Sequence, residues 1–484
     1  MKFYFLGDVI MRASIPSSNN KAVQTDAKPF GLRDKIGYAF GDLGNCFILG
    51  LVNSFLMIYY TNVLGIPGAV IGILFLVARI IDAFSDVTVG RLSDVAPLTS
   101  QGRFRPWIRR MKYPFCLITV ILFLPFVNSF PMMFKIIYIF VTYLFFGIFL
   151  SAINIPYGSM ASAISSDPDH RASLSTFRSL GSAVGGASTG FLIPIFMYSR
   201  AANGQQVVSS SRFFIIAIVC ALLAFLAYNV TYKLTTERVQ IKKQEKVSAK
   251  VLLKGMFTNK ALLSLVAVDL FIVINQILSG TTTTYLFNDY FHNNKAMSIA
   301  LLFTYGTVIL LAPFATWLIK RFGKKEASVV TLIFSSALYL CMYFMHIHNA
   351  WVYLVFMFIA TLGYSLFNLM VWAFITDVID YHQFISGHRE DGTVYGVNSF
   401  ARKVGQALAG GIGGFMLQII GYQSSTTGGA AQSLVVENRI YALANLLPAV
   451  LLILAALVLA FLYPLNKKTI DDVDAQLREI NKQD

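Results

Sequence analysis

The chain has 484 residues, of which 56% are hydrophobic and only 13% charged. A soluble protein carries roughly 25% charged residues, so an assembly of soluble domains is excluded. The formal net charge of +15 would suit a nucleic-acid binder, but the basic residues are not interleaved with aromatics in a patch and instead occupy every second connection between apolar runs.

Residues 1–33 read as a soluble tail. Their first apolar run is broken by Asp8 and shows no small-residue cleavage site, so it is not read as a signal peptide. Twelve apolar stretches follow, at 36–62, 66–92, 111–130, 133–163, 174–199, 211–234, 259–288, 296–319, 327–346, 350–380, 394–422 and 438–463. Each is near or above the roughly 20 residues that a helix needs to cross a bilayer. The expected fold class is therefore an all-α membrane protein. Lys and Arg are sparse in the odd-numbered connections, where Lys135, Arg200, Arg212, Lys295 and Arg439 stand almost alone. The even-numbered side holds Arg103, Arg105, Arg109 and Arg110, and the middle connection runs from Lys233 through Arg238, Lys242, Lys243, Lys246, Lys250 and Lys254. This asymmetry predicts a multi-pass protein of the cell (inner or plasma) membrane with both tails and residues 235–258 cytoplasmic.

The middle loop, 235–258, divides a first half (34–234) from a second (259–463), and residues 464–484 form the closing tail. A glycine-and-basic turn follows the second span (Gly102-Arg-Phe-Arg-Pro106) and the eighth (Arg321-Phe-Gly-Lys-Lys325). Two similar six-span halves enclosing a site follow the major-facilitator plan.

Charges within apolar spans are costly and call for a partner or a purpose. Arg79, Asp82 and Asp86 are spaced by three and then four residues, which puts all three on one helical face. Two carboxylates one turn apart repel when both ionise, and a proton or cation relieves that repulsion. Simple neutralisation of one Asp by Arg79 is the competing reading. Arg178 and the pair Arg402-Lys403 add positive charge toward the presumed cavity. Asp42 reads as structural, and Asp269 has no evident partner in the sequence. Asp377 and Asp380 precede a loop bearing Arg389, as either a gating ion pair or plain helix-end charges.

Pro156, in Asn154-Ile-Pro-Tyr-Gly158, is expected to break span four where it lines a cavity. Tyr157 and Trp372 offer ring faces for a sugar, and Asn45, Asn154, Asn368 and Asn398 offer amides for hydroxyls. The four cysteines fall inside apolar spans and the six histidines at span ends or in loops. That pattern offers neither a metal cluster nor a catalytic constellation, so no enzyme activity and no cofactor are expected.

Val77-Ala-Arg-Ile-Ile-Asp-Ala-Phe-Ser-Asp-Val87, Gly102-Arg-Phe-Arg-Pro106, Asn154-Ile-Pro-Tyr-Gly158 and Phe400-Ala-Arg-Lys-Val-Gly-Gln406 together resemble the glycoside–pentoside–hexuronide:cation symporters, the family of melibiose permease. The resemblance runs over roughly residues 34–466. It implies a major-facilitator fold, a sugar or glycoside substrate and coupling to H⁺ or Na⁺. It carries the cation carboxylates onto Asp82 and Asp86 (the metal ligands if Na⁺ couples), the preceding arginine onto Arg79 and a hydroxyl ligand onto Ser151. The span-five arginine falls on Arg178 and the span-eleven lysine on Lys403. Ser85 replaces the Asn that precedes the second carboxylate in melibiose permease, which favours H⁺ over Na⁺. The two sugar-binding aspartates of that permease fall on Cys46 and Asn154, which points away from an α-galactoside and toward a hexuronide, glucuronide or xyloside. A lysolipid-type or other non-sugar facilitator is the alternative substrate class, and a monomer is the expected working unit. For topology, a single cysteine at position 245 should resist membrane-impermeant thiol reagents added outside intact cells; efficient labelling there would reverse the orientation.

Overall fold

The computed structural model describes residues 29–96, 99, 101–165, 167–200, 206–239, 259–386, 391–470, 472–473 and 476. Its elements are α1 (Leu32–Asn62), α2 (Gly68–Val95), α3 (Phe104–Ile121), α4 (Met132–Ile164), α5 (Pro168–Phe196), strands β1 (Tyr198–Arg200) and β2 (Gln206–Val208), and α6 (Ser210–Leu234). The second set is α7 (Lys260–Tyr285), α8 (Asn294–Phe322), α9 (Lys324–Met345), α10 (Ala350–Ser386), α11 (Asp391–Ile420) and α12 (Leu434–Leu457). Among the described residues, ten helices are long and apolar enough to span a bilayer by length and composition.

Several helices outrun their apolar stretches. Helix α3 already begins at the basic turn, and α10 continues to Ser386. Hydropathy marks only the lipid-facing core, whereas backbone hydrogen bonding continues into the polar zone. Pro156 does not break span four, because α4 runs without interruption from Met132 to Ile164. Neighbouring helices and local adjustment can absorb the one backbone bond that proline forfeits. The β1–β2 hairpin was not foreseen; it pairs Tyr198 with Val208 and Arg200 with Gln206.

Packing repeats with an offset of six. Helix α1 packs on α5 and α6, α4 on α2 and α3, and α3 on α6; correspondingly, α7 packs on α11 and α12, α10 on α8 and α9, and α9 on α12. Between the halves, α5 meets α8 and α2 meets α11, again related by the same offset. The basic turns are also equivalent. Glu237 accepts from the Arg103 and Arg105 amides at the start of α3, at 2.8 and 2.6 Å, and the Arg105 guanidinium donates to Tyr232 O at the end of α6 (2.7 Å). In the second half Lys325 Nζ donates to Tyr463 O just beyond α12 (2.6 Å). Each turn thus ties the third helix of its half to the sixth and satisfies end groups that a helix leaves open.

The halves close on one another at the end carrying the odd-numbered connections. Residues 423–430, which follow α11, lie against the end of α1: Ser425 N–H donates to Thr61 O and Gly428 N–H to Asn62 O, both at 2.8 Å. Val208 N–H of β2 donates to Gly428 O, also at 2.8 Å. Gly428 has φ +97, a conformation that other residues adopt only with strain. Nearby, α2 and α11 cross glycine on glycine. A Cβ added to Gly68 would lie 2.8 Å from Gly414 O, and one added to Gly72 would lie 3.0 Å from Gly411 O. Small residues let two membrane helices approach this closely. Gly414→Val should leave the protein inserted but hold this end apart, so a cysteine placed at position 281 should label several-fold faster from that side. Unchanged labelling would show that the crossing does not control closure.

Candidate functional site

Beyond the closed end lies a small cleft of about 30 Å³, lined from both halves by Asn53 (α1), Phe75 and Arg79 (α2), Tyr143 (α4), Thr281 (α7) and Gln406 (α11). That is room for a water molecule or two, so a sugar enters only when the halves move apart. Asn53 is exposed and Gln406 half-buried, so amides from both halves face one space. Neither was singled out from sequence. An uncharged amide in the middle of a long apolar span was the available signal.

On α2 the three charges separate into two contacts. The Arg79 guanidinium lies 3.3 Å from Asp82 Oδ2, while Asp86 Oδ2 is paired with Lys403 Nζ of α11. The first contact stays within one helix; the second bridges the halves. Asp82 Oδ1 is buried and has no hydrogen-bond partner among the described residues. It packs where Gly147 of α4 leaves room, since a Cβ there would collide with it. Gly147 carried no signal in the sequence. Ser151, one turn along α4, is 7% exposed, and Ser85 is half-buried between the two carboxylates. A buried carboxylate oxygen without a hydrogen-bond partner is a place where a proton or a small cation can be accepted, against the opposing charge of Arg79.

The remaining charges pair within their halves. Arg178 Nε on α5 lies 3.4 Å from Asp42 Oδ1 on α1. Arg402 Nη1 on α11 lies 2.8 Å from Asp269 Oδ1 on α7, and Asn398 Nδ2 donates to Asp269 Oδ2 at 3.1 Å. Asp269 therefore has two partners where the sequence showed none, because they lie more than a hundred residues away. Under the six-helix offset, α1–α5 corresponds to α7–α11, so these two ion pairs are counterparts. Asp377 pairs with Lys324 at the start of α9 (2.6 Å); Arg389 lies outside the described residues. Asp380 stands beside Leu465, Ile470 and Val473 of the C-terminal segment.

Other predicted contacts are taken up by packing in this conformation. Tyr157 is 1% exposed, stacks on Tyr38 at 4.6 Å and donates to Tyr38 O at 2.5 Å. Asn45 accepts from the Tyr228 hydroxyl at 2.6 Å and faces Asn154 Oδ1 at 3.5 Å. Cys46 Sγ meets Ser182 Oγ at 3.1 Å in the α1–α5 contact, and Asn398 is occupied by Asp269. Asn368 is half-buried on α10, whereas the Trp372 side chain lies outside the described residues.

A family model described as MFS/sugar transport protein matches residues 37–467. The chain belongs to this family. It is a multi-pass membrane transporter with the major-facilitator fold, not an enzyme. It is 33% identical over 454 residues to an uncharacterized symporter, YjmB, of Bacillus subtilis, covering 92% of this chain and 95% of that one. It is 28% identical to a glucuronide carrier protein homolog of Escherichia coli (92% and 95% covered). It is 27% identical to an isoprimeverose transporter of Lactiplantibacillus pentosus (80% of each). Among solved structures it resembles the nucleoside transporter NupG, with a TM-score of 0.62, 12% identity and 90% and 100% coverage. It also resembles a bacterial homolog of the lysosomal transporter Spinster in an inward-facing conformation (TM-score 0.63, 13% identity, 91% and 97% covered). At that identity these likenesses report the fold.

Within this family fold, the Asp269–Arg402 pair makes a direct stability forecast. Asp269→Asn leaves a guanidinium unpaired in the bundle, a loss on the order of 3–5 kcal/mol for buried pairs. Combining it with Arg402→Gln should recover most of that loss. Unfolding in detergent compares the two; equal destabilisation by single and double variants would refute the pairing.

Proposed function

We propose that the protein carries a hydroxylated, acid-bearing sugar or glycoside by alternating access, in symport with H⁺. The observation that carries this reading is the cleft in which Asn53 and Gln406, from opposite halves, face one space with Arg79. Amides bind hydroxyls as donor and acceptor together, and a guanidinium suits a carboxylate or sulfonate. The names of relatives support the class: a glucuronide carrier homolog, an isoprimeverose transporter and a putative 2,3-dihydroxypropane-1-sulfonate exporter. Two of these names denote anionic, hydroxylated solutes. Substrate held by both halves would favour their closing together behind it.

Coupling runs through the span-two carboxylates. With both ionised, Arg79, Asp82, Asp86 and Lys403 sum to zero, and Lys403 is held to Asp86 across the halves. A proton on either carboxyl removes one negative charge from this balance. On Asp86 it also weakens the tie to Lys403, freeing α2 from α11. Ser85, in place of an amide, favours H⁺ over Na⁺. Both tails face the cytoplasm in this reading, so the closed end is external.

Uptake into vesicles tests the whole scheme with a panel of glucuronides, xylosides and α-galactosides, with and without a pH or Na⁺ gradient. Asn53→Ala and Gln406→Ala should each raise KM several-fold for the preferred sugar. Asp82→Asn and Asp86→Asn should abolish uphill accumulation while counterflow survives. Undiminished accumulation in both carboxylate variants would remove the pair as coupling site. Tightest binding of an α-galactoside would remove the substrate class.

A further inference from the structure

A second acid lies at the closed end, away from the cleft. Asp289 sits in the π-helical turn (Leu286–Tyr290) that ends α7 and is 5% exposed. Its bonded neighbours are neutral: Asn288 Nδ2 donates to Oδ1 at 2.8 Å, and the Tyr422 hydroxyl lies 3.2 Å from Oδ2. Both neighbours reach the other half. Asn288 Oδ1 accepts from Tyr198 of β1 at 2.7 Å, and the Tyr422 hydroxyl lies 2.8 Å from Asn62 Oδ1 at the end of α1. The other ionisable groups acting on it from packed elements are Tyr285 on α7, Tyr198 on β1, Tyr422 after α11 and Glu437 on α12. None of these is basic; His292, the nearby histidine in sequence, meets the Asn288 carbonyl at 2.9 Å, and among the described residues no Lys or Arg is bonded to Asp289.

A carboxylate buried among neutral donors is unfavourable unless it is protonated or paired. A protonated acid can satisfy these contacts. The Tyr422 hydroxyl has one proton and two acceptors within reach, Asn62 Oδ1 and Asp289 Oδ2. A protonated Asp289 donates to Tyr422, which donates to Asn62, so that each contact has one donor and one acceptor.

We propose that Asp289 is a proton-binding site of the closed gate, separate from Asp82 and Asp86: it holds a proton while this end is shut and releases it to water when the end opens. The proton passes from the carboxyl to a water molecule, leaving a hydrated carboxylate. Closure is therefore favoured as pH falls and opening as pH rises. The inference needs neither the sugar assignment nor coupling at α2.

Spin labels on unnatural amino acids at Phe130 and Leu434, exposed on opposite halves at this end, report the opening in lipid nanodiscs. In the unsubstituted protein the short-distance population should dominate at about pH 5. The open-to-closed ratio should then climb with pH by up to about tenfold per unit, the limit for one proton released. Asp289→Asn, whose amide can donate to Tyr422 at any pH, should stay closed throughout. Glu437→Gln should keep the original pH response. A pH-independent distribution in the unsubstituted protein, an unaltered response in Asp289→Asn, or its loss in Glu437→Gln would each overturn the proposal. Should Asp289→Asn fail to assemble, Tyr422→Phe decides: it should shift the acid-pH population toward open, and an unchanged closed fraction would overturn the proposal.

Discussion

An ionised side chain in a bilayer core is tolerated only beside a compensating group, and this constraint organises the bundle. Of the six ion pairs described, Arg79–Asp82, Arg178–Asp42, Lys324–Asp377 and Arg402–Asp269 each join residues of one half, and Arg238–Asp34 ties the middle loop to α1. Lys403–Asp86 alone among them crosses from one half to the other. A pair held within one half can move with that half without being separated. The crossing pair falls on the helix that also carries the unpaired oxygen of Asp82.

The internal repeat gives this arrangement its rigidity. Helix contacts, glycine-and-basic turns and the Asp–Arg pairs of α1–α5 and α7–α11 all recur with the same offset of six helices. What differs between halves is as informative. Arg402 turns toward Asp269 in its own half, while its neighbour Lys403 reaches the other. Adjacent positions on a helix point about 100° apart, so one two-residue segment can anchor α11 and bridge to α2 at once.

Much of this was legible in the residues. Uninterrupted apolar runs locate the helices, because backbone polar groups in lipid must be satisfied locally. The spacing of Arg79, Asp82 and Asp86 on one helical face was likewise readable. What escaped depended on tertiary placement. Asp269 finds Arg402 only after α7 and α11 are packed, and Tyr157 is consumed by Tyr38 although its type suits a sugar platform. Pro156 looked like a break yet sits in a continuous helix. Gly147 matters for what it lacks beside Asp82, and an absent side chain leaves no trace in a hydropathy pattern. Asn53 and Gln406 were hidden in plain view, since sequence gives an amide's depth in a helix but not which neighbour it faces.

The seam formed by residues 423–430 against the end of α1 is stitched largely through main-chain groups: Ser425 to Thr61, Gly428 to Asn62 and Val208 to Gly428. Main-chain bonds are indifferent to most substitutions, so the door can keep its fit while residues lining the room behind it diverge. Each such bond is exchanged for one with water on opening, and the net difference is only about 1 kcal/mol. A seam of this kind is specific in shape yet cheap to part. Relatives with quite different cargoes could therefore share one door and be told apart only by what their interiors hold.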